Sequence, residues 1–397
     1  MLEALRQRDF RRLFLGQAAS SIGDAVALMA LALYVTDIGS PTDVGLVLAA
    51  KTLPEVGLLL FGGVWADRLP RHRVMLVTDV ARFALHALLA TLIFTGVVEI
   101  WHIVVIELLF GSGEAFFRPA YLGLVPQTVP EELIQSATAV SATANMTSQV
   151  AGPAIGSVLV LGVGAGWAFA VDAATFLVSA AFIVRLKPRQ RGAVSERRSV
   201  LRELADGWVE VRSRQWVWSV IAGYAVLLFV ALAPYETLGA TVGTERYGGA
   251  GAFGFVSTVL GVGMVAGAIL GTHWRPRYPI RAGSLAILPW PIAVSLYGLG
   301  APLLAVAPVF ALTGVGIALF GVWWETALAE RIPGHLLSRV SAYDYMGSAA
   351  LLPLGYVISG PLGSWVGAPH VVAIGALIGL FVAVGLLFVP EVWRLSR

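Results

Sequence analysis

The sequence predicts an all-α membrane protein with twelve transmembrane helices in two bundles of six. Of its 397 residues, 57% are hydrophobic and only 13% are charged, and the mean hydropathy is +0.80. An average soluble domain contains about 25% charged residues, so a water-soluble fold could not hide this much apolar surface. Lipid offers no hydrogen bonds to the backbone, so long apolar runs cross it as helices, and these runs are too long for the strands of a barrel.

The apolar runs have the length that a membrane span requires. About 20 residues at roughly 1.5 Å per residue cross a hydrocarbon core of about 30 Å. Between the runs lie short polar segments in which a helix can end. The predicted spans are residues 12–36, 42–66, 74–97, 101–124, 137–161, 166–185, 216–240, 252–272, 283–300, 302–324, 340–362 and 369–390.

Basic residues are distributed unequally between the segments that join the spans. With a cytoplasmic N-terminus, all but four of the 27 Lys and Arg residues fall on the cytoplasmic side. The exceptions are Lys51, Arg82 and Arg118 within spans and Arg246 in an outside loop. This asymmetry predicts a multi-pass protein of a bacterial-type inner (plasma) membrane, with both termini in the cytoplasm.

The longest polar stretch divides the predicted spans into six and six. We expect residues 1–186 to form an N-terminal six-helix bundle, 187–215 a basic, partly amphipathic cytoplasmic linker, and 216–397 a C-terminal six-helix bundle. The alternative for the linker is a merely solvated connector. Two halves of six spans are typical of transporters that bind a substrate between the halves, near the bilayer midplane.

Several classes of protein are disfavoured by what the sequence lacks. It contains no cysteine, which removes disulfides, thiolate metal sites and cysteine nucleophiles. Its six histidines do not have the spacing of metal ligands, so we expect no metal and no cofactor. The sequence has no phosphate-binding loop of the kind that would indicate direct use of ATP. We expect a monomer that binds no nucleic acid and is not an enzyme.

Ionisable residues deep within predicted spans are the strongest indication of a functional site. Each costs about 2.5–3.5 kcal/mol to insert and usually faces a cavity or a partner. Asp24, Glu55 and Glu114 fall near the midplane, and Lys51 lies closer to the outside. Lys51 and Glu55 are spaced i,i+4 and could form a structural pair. All four are candidates for the pathway of a substrate and protons.

Three further charged residues within spans are predicted to have another role. Asp79, Arg82 and Arg118 lie toward the cytoplasmic ends of their spans. We expect them to pair with the cytoplasmic loop after the second span, or to extend toward the membrane surface.

The loop between the second and third spans carries a recognisable motif. Residues 62–73 read GGVWADRLPRHR, and Gly63, Asp67, Arg68 and Arg71 match the G-x-x-x-D-R-x-G-R-(K/R) signature of the major facilitator superfamily. Pro70 stands where the signature has its last glycine, and a histidine stands in place of a base. The chain thus resembles this superfamily, whose fold has twelve spans in two bundles.

The resemblance implies a role for this loop. Asp67, Arg68 and Arg71 would form a cytoplasmic charge latch that rearranges when the transporter switches between its inward-open and outward-open states. We expect Asp344, in the eleventh span, to be the partner of Arg71. The alternative is a tight turn whose positive charge sets the topology.

A second motif lies in the fifth span. Residues 151–157 read AGPAIGS and resemble the G-P-x-x-G-G motif of antiporters in the same superfamily. Gly152, Pro153 and Gly156 match, whereas Ser157 departs from the motif. The resemblance implies a gate at which the helix bends; the alternative is ordinary close packing of small residues.

Other stretches make the resemblance more specific. RDFRRL at 8–13, FFRPA at 116–120 and DAATFL at 172–177 are similar to the branch containing siderophore exporters and macrolide efflux proteins. This resemblance covers nearly the whole chain and implies export of a small amphipathic molecule by proton antiport with alternating access. Glu107 departs from the branch, because many proton-coupled members have a basic residue there. Import, lipid flipping and, less favoured, a membrane-embedded receptor or enzyme stay open.

Overall fold

The computed structural model of the chain describes residues 3–187, 189 and 200–396. Within them, the side chains of residues 60–68, 146, 150, 200–206, 272, 334, 335 and 338 lie outside the described set. The described residues form helices, turns and short connections, and no strand is found among them. The predicted all-helical membrane fold is confirmed.

The chain divides by its contacts into two units. The first comprises Met1–Gly39 and Leu46–Ser195, and the second comprises Ser40–Gly45 and Glu196–Arg397. The predicted linker falls partly on residues 190–199, which lie outside the described residues, and its remainder contains a helix.

After the short α1, the helices of the first part of the chain are long, and most connections between them are tight. Gly96, which follows α4, adopts the left-handed conformation (φ 70°) and ends that helix. Two 3-10 turns, Val125–Thr128 and Glu131–Leu133, follow α5. The helices are α1 (Glu3–Arg6), α2 (Arg8–Ile38), α3 (Pro41–Arg68), α4 (Arg71–Thr95), α5 (Ile100–Leu124), α6 (Ile134–Val163) and α7 (Ala165–Ile183).

The second part of the chain contains more and shorter helices. They are α8 (Val200–Ser213), α9 (Gln215–Leu227), α10 (Ala233–Tyr247), α11 (Gly251–His273), α12 (Pro279–Ala286), α13 (Pro289–Gly298), α14 (Leu303–Arg331), α15 (Gly334–Ala349), α16 (Leu352–Val366), α17 (Ala368–Leu386) and α18 (Pro390–Arg394).

Two predicted spans of the second unit are interrupted in the structure. The span predicted at 283–300 consists of α12 and α13, which meet at Pro289, and the span predicted at 340–362 consists of α15 and α16, with Pro353 near the start of α16. Proline has no N–H and its ring clashes with the preceding turn, which favours a break in the helix at these two positions. Hydropathy detects the apolar run but not this break.

A different irregularity lies between α9 and α10. Residues Leu228–Leu232 form a π-helical turn, which joins the two helices into one long segment with Pro234 just beyond it. A π turn accommodates one extra residue and leaves the backbone hydrogen bonds mostly made.

Eleven segments of the described residues are long and apolar enough to cross a membrane. They coincide with eleven of the twelve predicted spans. The remaining prediction, 42–66, coincides with α3, which includes nine residues whose side chains lie outside the described set.

Glycines bring certain helices into close contact within the first unit. A Cβ at Gly111 of α5 would overlap the carbonyl of Lys51 on α3, and a Cβ at Gly152 of α6 would overlap Ala25 on α2. Such close contact lets backbones and short side chains pack without a gap. It also holds the charged residues of neighbouring helices within reach of each other.

Candidate functional site

One face of α4 carries three charged or ionisable side chains in the interior of the first unit. Asp79, Arg82 and His86 are spaced i, i+3 and i+7, so they lie on the same side of the helix. All three are buried, and Arg82 is only 1% exposed. This spacing was visible in the sequence and could have revealed the site.

Arg82 is the centre of a buried ionic network. Its Nη2 donates to Asp79 Oδ1 at 2.6 Å, and its Nη1 donates to Glu114 Oε2 at 2.7 Å. Asp24 Oδ2 lies 4.0 Å from Nη1. The structure therefore brings together Asp24 and Glu114, as two of the predicted pathway residues, around a cation from a third helix.

Aromatic rings enclose the guanidinium of Arg82. Its Cζ lies 3.9 Å from the ring centroid of Phe117 and 4.5 Å from that of Phe176. These contacts favour the cation in a site that excludes water. Helix packing turns Asp79 and Arg82 into the unit, so the expectation that they extend toward the membrane surface is wrong. The alternative, pairing with the loop after the second span, falls on side chains outside the described set.

The carboxylates of this network differ in their accessibility. Asp79 is fully buried, whereas the side chains of Asp24 and Glu114 are 33% and 25% exposed. A charged group exposed within a membrane span does not face lipid without a large cost. Asp24 and Glu114 are therefore the more accessible members of the network.

Lys51 and Glu55, the other predicted pathway residues, lie on α3 beside this network. Lys51 Nζ stands 5.1 Å from the ring centroid of Phe110. Arg118 Nη1 lies 3.9 Å from Glu55 Oε1, which gives Glu55 an ionic partner on α5. Arg118 thus pairs with an acid of the neighbouring span, and the side chains of residues 60–68 in the cytoplasmic loop lie outside the described set.

A second buried cluster adjoins the first and was missed by the sequence analysis. His86 Nδ1 forms a hydrogen bond with Asp172 Oδ2, and its Nε2 lies 3.5 Å from Glu107 Oε1. The imidazole stacks on Phe110 with 4.2 Å between ring centroids. Glu107 and Asp172 were noted only as parts of the family resemblance, because nothing in the spacing of α5 and α7 pairs them with His86.

The predicted cytoplasmic latch is only partly described. Gly63, Asp67 and Arg68 lie in the stretch 60–68, outside the described side chains. Arg71 Nη1 donates to the carbonyl of Gly123 at 2.6 Å, which ties the start of α4 to the end of α5. Asp344 accepts a hydrogen bond of 2.8 Å from the indole of Trp324, within the second unit. Its pairing with Arg71 stays a prediction.

The motif of the fifth span lies where α6 packs against α2. A Cβ at Gly156 would stand 2.8 Å from the carbonyl oxygen of Val26 and 3.0 Å from Met29 Cβ. Gly152 makes the neighbouring contact one turn earlier, at Ala25, and Pro153 stands inside the helix between them. Small residues are thus required for packing at this position, and a gating role remains a prediction.

The site gathers several carboxylates and two cations inside the first unit. Asp24, Asp79 and Glu114 place three carboxylates around one guanidinium, and Lys51 supplies a further cation nearby. Among the described residues, no group of three or more potential ligands that could hold a metal ion is found. Excess negative charge inside a membrane span is costly, and bound protons or a cation can neutralise it.

A comparison with known families decides what kind of protein carries this site. The model of the family described as transmembrane secretion effector, of the major facilitator superfamily, matches residues 1–288 of the chain. The chain belongs to this family of transporters.

Two bacterial efflux proteins are similar to this secretion-effector transporter over nearly their whole length. It is 23% identical over 402 residues to macrolide efflux protein A of Streptococcus pyogenes, covering 98% of this chain and 97% of that protein. It is 26% identical over 389 residues to the multidrug efflux pump Tap of Mycolicibacterium fortuitum, with 94% of each chain covered. The predicted resemblance to the efflux branch is confirmed.

The fold of this family member matches solved transporter structures. The nucleoside transporter NupG superposes with a TM-score of 0.73 at 13% identity, over 97% of this chain and 99% of that one. At this identity the likeness concerns the fold alone. The family match and the efflux relatives, which are bacterial proteins, make this protein a multi-pass membrane transporter of a small molecule.

Proposed function

We propose that this transporter exports a small amphipathic molecule, such as a drug, an antibiotic or a siderophore-like compound, in exchange for protons. The observation that carries the proposal is the Arg82 network, in which the partly exposed Asp24 and Glu114 meet a buried guanidinium. The efflux proteins among the relatives support the direction, and the excess of carboxylates supports the coupling ion.

The geometry suggests how a proton and a substrate can exclude each other. Arg82 keeps its charge, so Glu114 is held by a charge-assisted hydrogen bond while it is ionised. A proton on Glu114 removes that charge and weakens the bond to Arg82. Protonation of Glu114 therefore changes both the local charge and the space available to a substrate beside Arg82. Such a linked change is required if proton entry is to be coupled to substrate exit while access alternates between the two sides.

Other predicted residues belong to the same proposal. Lys51 and Glu55 complete the pathway beside the network. The latch of Gly63, Asp67, Arg68 and Arg71 with Asp344, and the gate of Gly152, Pro153 and Gly156, would control alternation between two six-helix bundles. We also propose a monomer with both termini in the cytoplasm.

Transport by purified protein in sealed vesicles tests the proposal. We expect a pH gradient to drive movement of a macrolide or a lipophilic dye, and we expect Asp24→Asn and Glu114→Gln to abolish this driven movement. Glu99→Gln is the matched control, because Glu99 is an exposed carboxylate on a connecting segment and its loss should leave transport unchanged.

Three results would contradict the proposal. The assignment of Asp24 and Glu114 as coupling residues would be wrong if both variants kept full transport driven by the pH gradient. Substrate uptake in the opposite direction would identify an importer, and movement of labelled phospholipid without any soluble substrate would identify a lipid flippase.

A further inference from the structure

The connection between α11 and α12 carries basic and aromatic residues and no acid. Residues 273–281 read HWRPRYPIR, which includes three arginines and neither Asp nor Glu. This segment joins the two membrane spans Gly251–Gly271 and Pro279–Gly298, so it lies at an edge of the bilayer. Trp274 is 56% exposed, and Arg277 is exposed as well. Positive charge and apolar surface are thus presented together at this edge.

The guanidinium groups of Arg277 and Arg281 lie against aromatic rings. Their Cζ atoms are 5.5 and 5.9 Å from the ring centroid of Tyr278, and Arg281 Cζ is also 3.7 Å from the ring centroid of Trp393. A guanidinium that stacks on a ring keeps its N–H edge available to an acceptor. Stacking also restricts the side chain before a ligand arrives, which lowers the entropy lost on binding.

The ring of Trp393 is held in place by the rest of α18. The backbone N–H of Trp216, at the start of α9, donates to Glu391 Oε2 at 2.9 Å. Val392 is fully buried in the apolar core formed by the ends of α9, α12 and α14. Glu391 is the only acid of α18, and its contact with α9 directs it away from an ion pair with Arg281.

The two arginines are available to an external anion. Among the side chains that the structure describes, neither Arg277 nor Arg281 forms an ion pair or a hydrogen bond, and the rings are their partners. Trp393 and Phe388, close to this pair in the chain or in space, are exposed. A free inorganic anion would leave these apolar surfaces in water, whereas the chains of a lipid would cover them.

We propose that Arg277 and Arg281, with Tyr278, Trp393 and Trp274, form a binding site for the headgroup of an anionic phospholipid. Arginine can donate two parallel N–H groups to a phosphate, and two cations complement a lipid with a net negative charge. A zwitterionic headgroup carries its own cation and fits less well. The predicted topology places the site on the cytoplasmic side, but lipid binding rests neither on that orientation nor on the proposed proton antiport.

Native mass spectrometry of the delipidated full chain tests the site. The protein in detergent is titrated with dioleoyl phosphatidylglycerol or with dioleoyl phosphatidylcholine, and the lipids bound to each protein are counted. Arg277→Gln combined with Arg281→Gln should weaken the tightest phosphatidylglycerol binding by at least about tenfold, since each arginine near an anionic surface contributes a factor of about five. Phosphatidylcholine should bind equally to the wild type and to this variant, because both arginines lie at the surface and their loss should leave the fold intact.

Arg8→Gln combined with Arg11→Gln is the matched control. These two arginines are exposed, lie three residues apart on α2, and fall on the same predicted side of the membrane. No ring in the described part of the chain stacks on either of them. The control removes the same amount of charge and should keep the wild-type affinity for phosphatidylglycerol.

The proposal would be overturned by equal phosphatidylglycerol affinity in the wild type and in the variant that lacks Arg277 and Arg281. An equal loss of affinity in the two double variants would also overturn it, because the lipid would then be attracted by positive charge anywhere on this side. Displacement of the lipid from the wild type by millimolar inorganic phosphate would assign the site to a free anion and contradict a lipid site.

Discussion

Arg82 is the cation at the centre of the ionic network of the first unit. It is buried between Asp79 and Glu114, and Asp79, which is fully buried, would have no water to replace its lost cation. Arg82→Gln should therefore lower the unfolding free energy by about 3–5 kcal/mol, the cost of leaving buried charges without a partner. Unfolding of the purified protein in mixed micelles measures this loss.

A matched arginine provides the comparison for that variant. Arg118 is 43% exposed and lies 3.9 Å from its acid, so Arg118→Gln should cost about 1 kcal/mol or less. Equal losses in the two variants would show that burial of Arg82 does not determine its contribution. The loss of unfolding free energy in Arg82→Lys should fall between those of the two variants. The ammonium of lysine keeps the charge, but it lacks the planar guanidinium that donates in two directions.

The sequence predicts some members of the site and not their arrangement. Asp24, Glu55, Glu114 and Lys51 are recognisable because a charge in an apolar run is rare. Arg82 is equally recognisable, but its position toward the cytoplasmic end of its span led to the prediction that its side chain extends to the membrane surface. The direction of a side chain depends on the neighbouring helices. Reading each span by itself does not tell which helices touch.

At the scale of elements, the packing of α6 on α2 distinguishes two glycines of α6, one in the contact and one outside it. A Cβ at Gly152 would overlap Ala25, whereas a Cβ at Gly162 would meet nothing within 4 Å. Gly152→Val should therefore force α6 away from α2 and reduce both thermal stability and transport, and Gly162→Val should leave both near wild type. A melting curve and a transport assay on the two variants check this, and similar losses would argue against close packing as the reason for the motif.

The positions of the spans were predicted well because hydropathy alone determines where an apolar run begins and ends. Each described span overlaps its predicted position, with ends that differ by at most seven residues, since lipid imposes the length of an apolar run. The interruptions at Pro289 and between α15 and α16 were not predicted, because an apolar run looks the same whether one helix or two cross the bilayer.

At the scale of the whole molecule, the absence of cysteine makes the membrane orientation easy to measure. A single cysteine at Glu99 should react with an impermeant maleimide in intact cells, since the predicted topology places the segment between α4 and α5 outside. A cysteine at Lys187 should react only after the cells are opened. The reverse pattern would place both termini on the outside and contradict the charge asymmetry from which the orientation was inferred.

The π turn at Leu228–Leu232 changes how this chain must be compared with its relatives. One added residue rotates everything beyond it by about 100° relative to a regular helix, so Tyr235 and Glu236 present a different face from the one that counting from Tyr224 would give. A relative with a regular helix here therefore needs a one-residue gap in any alignment. Without that gap, the polar positions of α10 would be matched to side chains that point elsewhere.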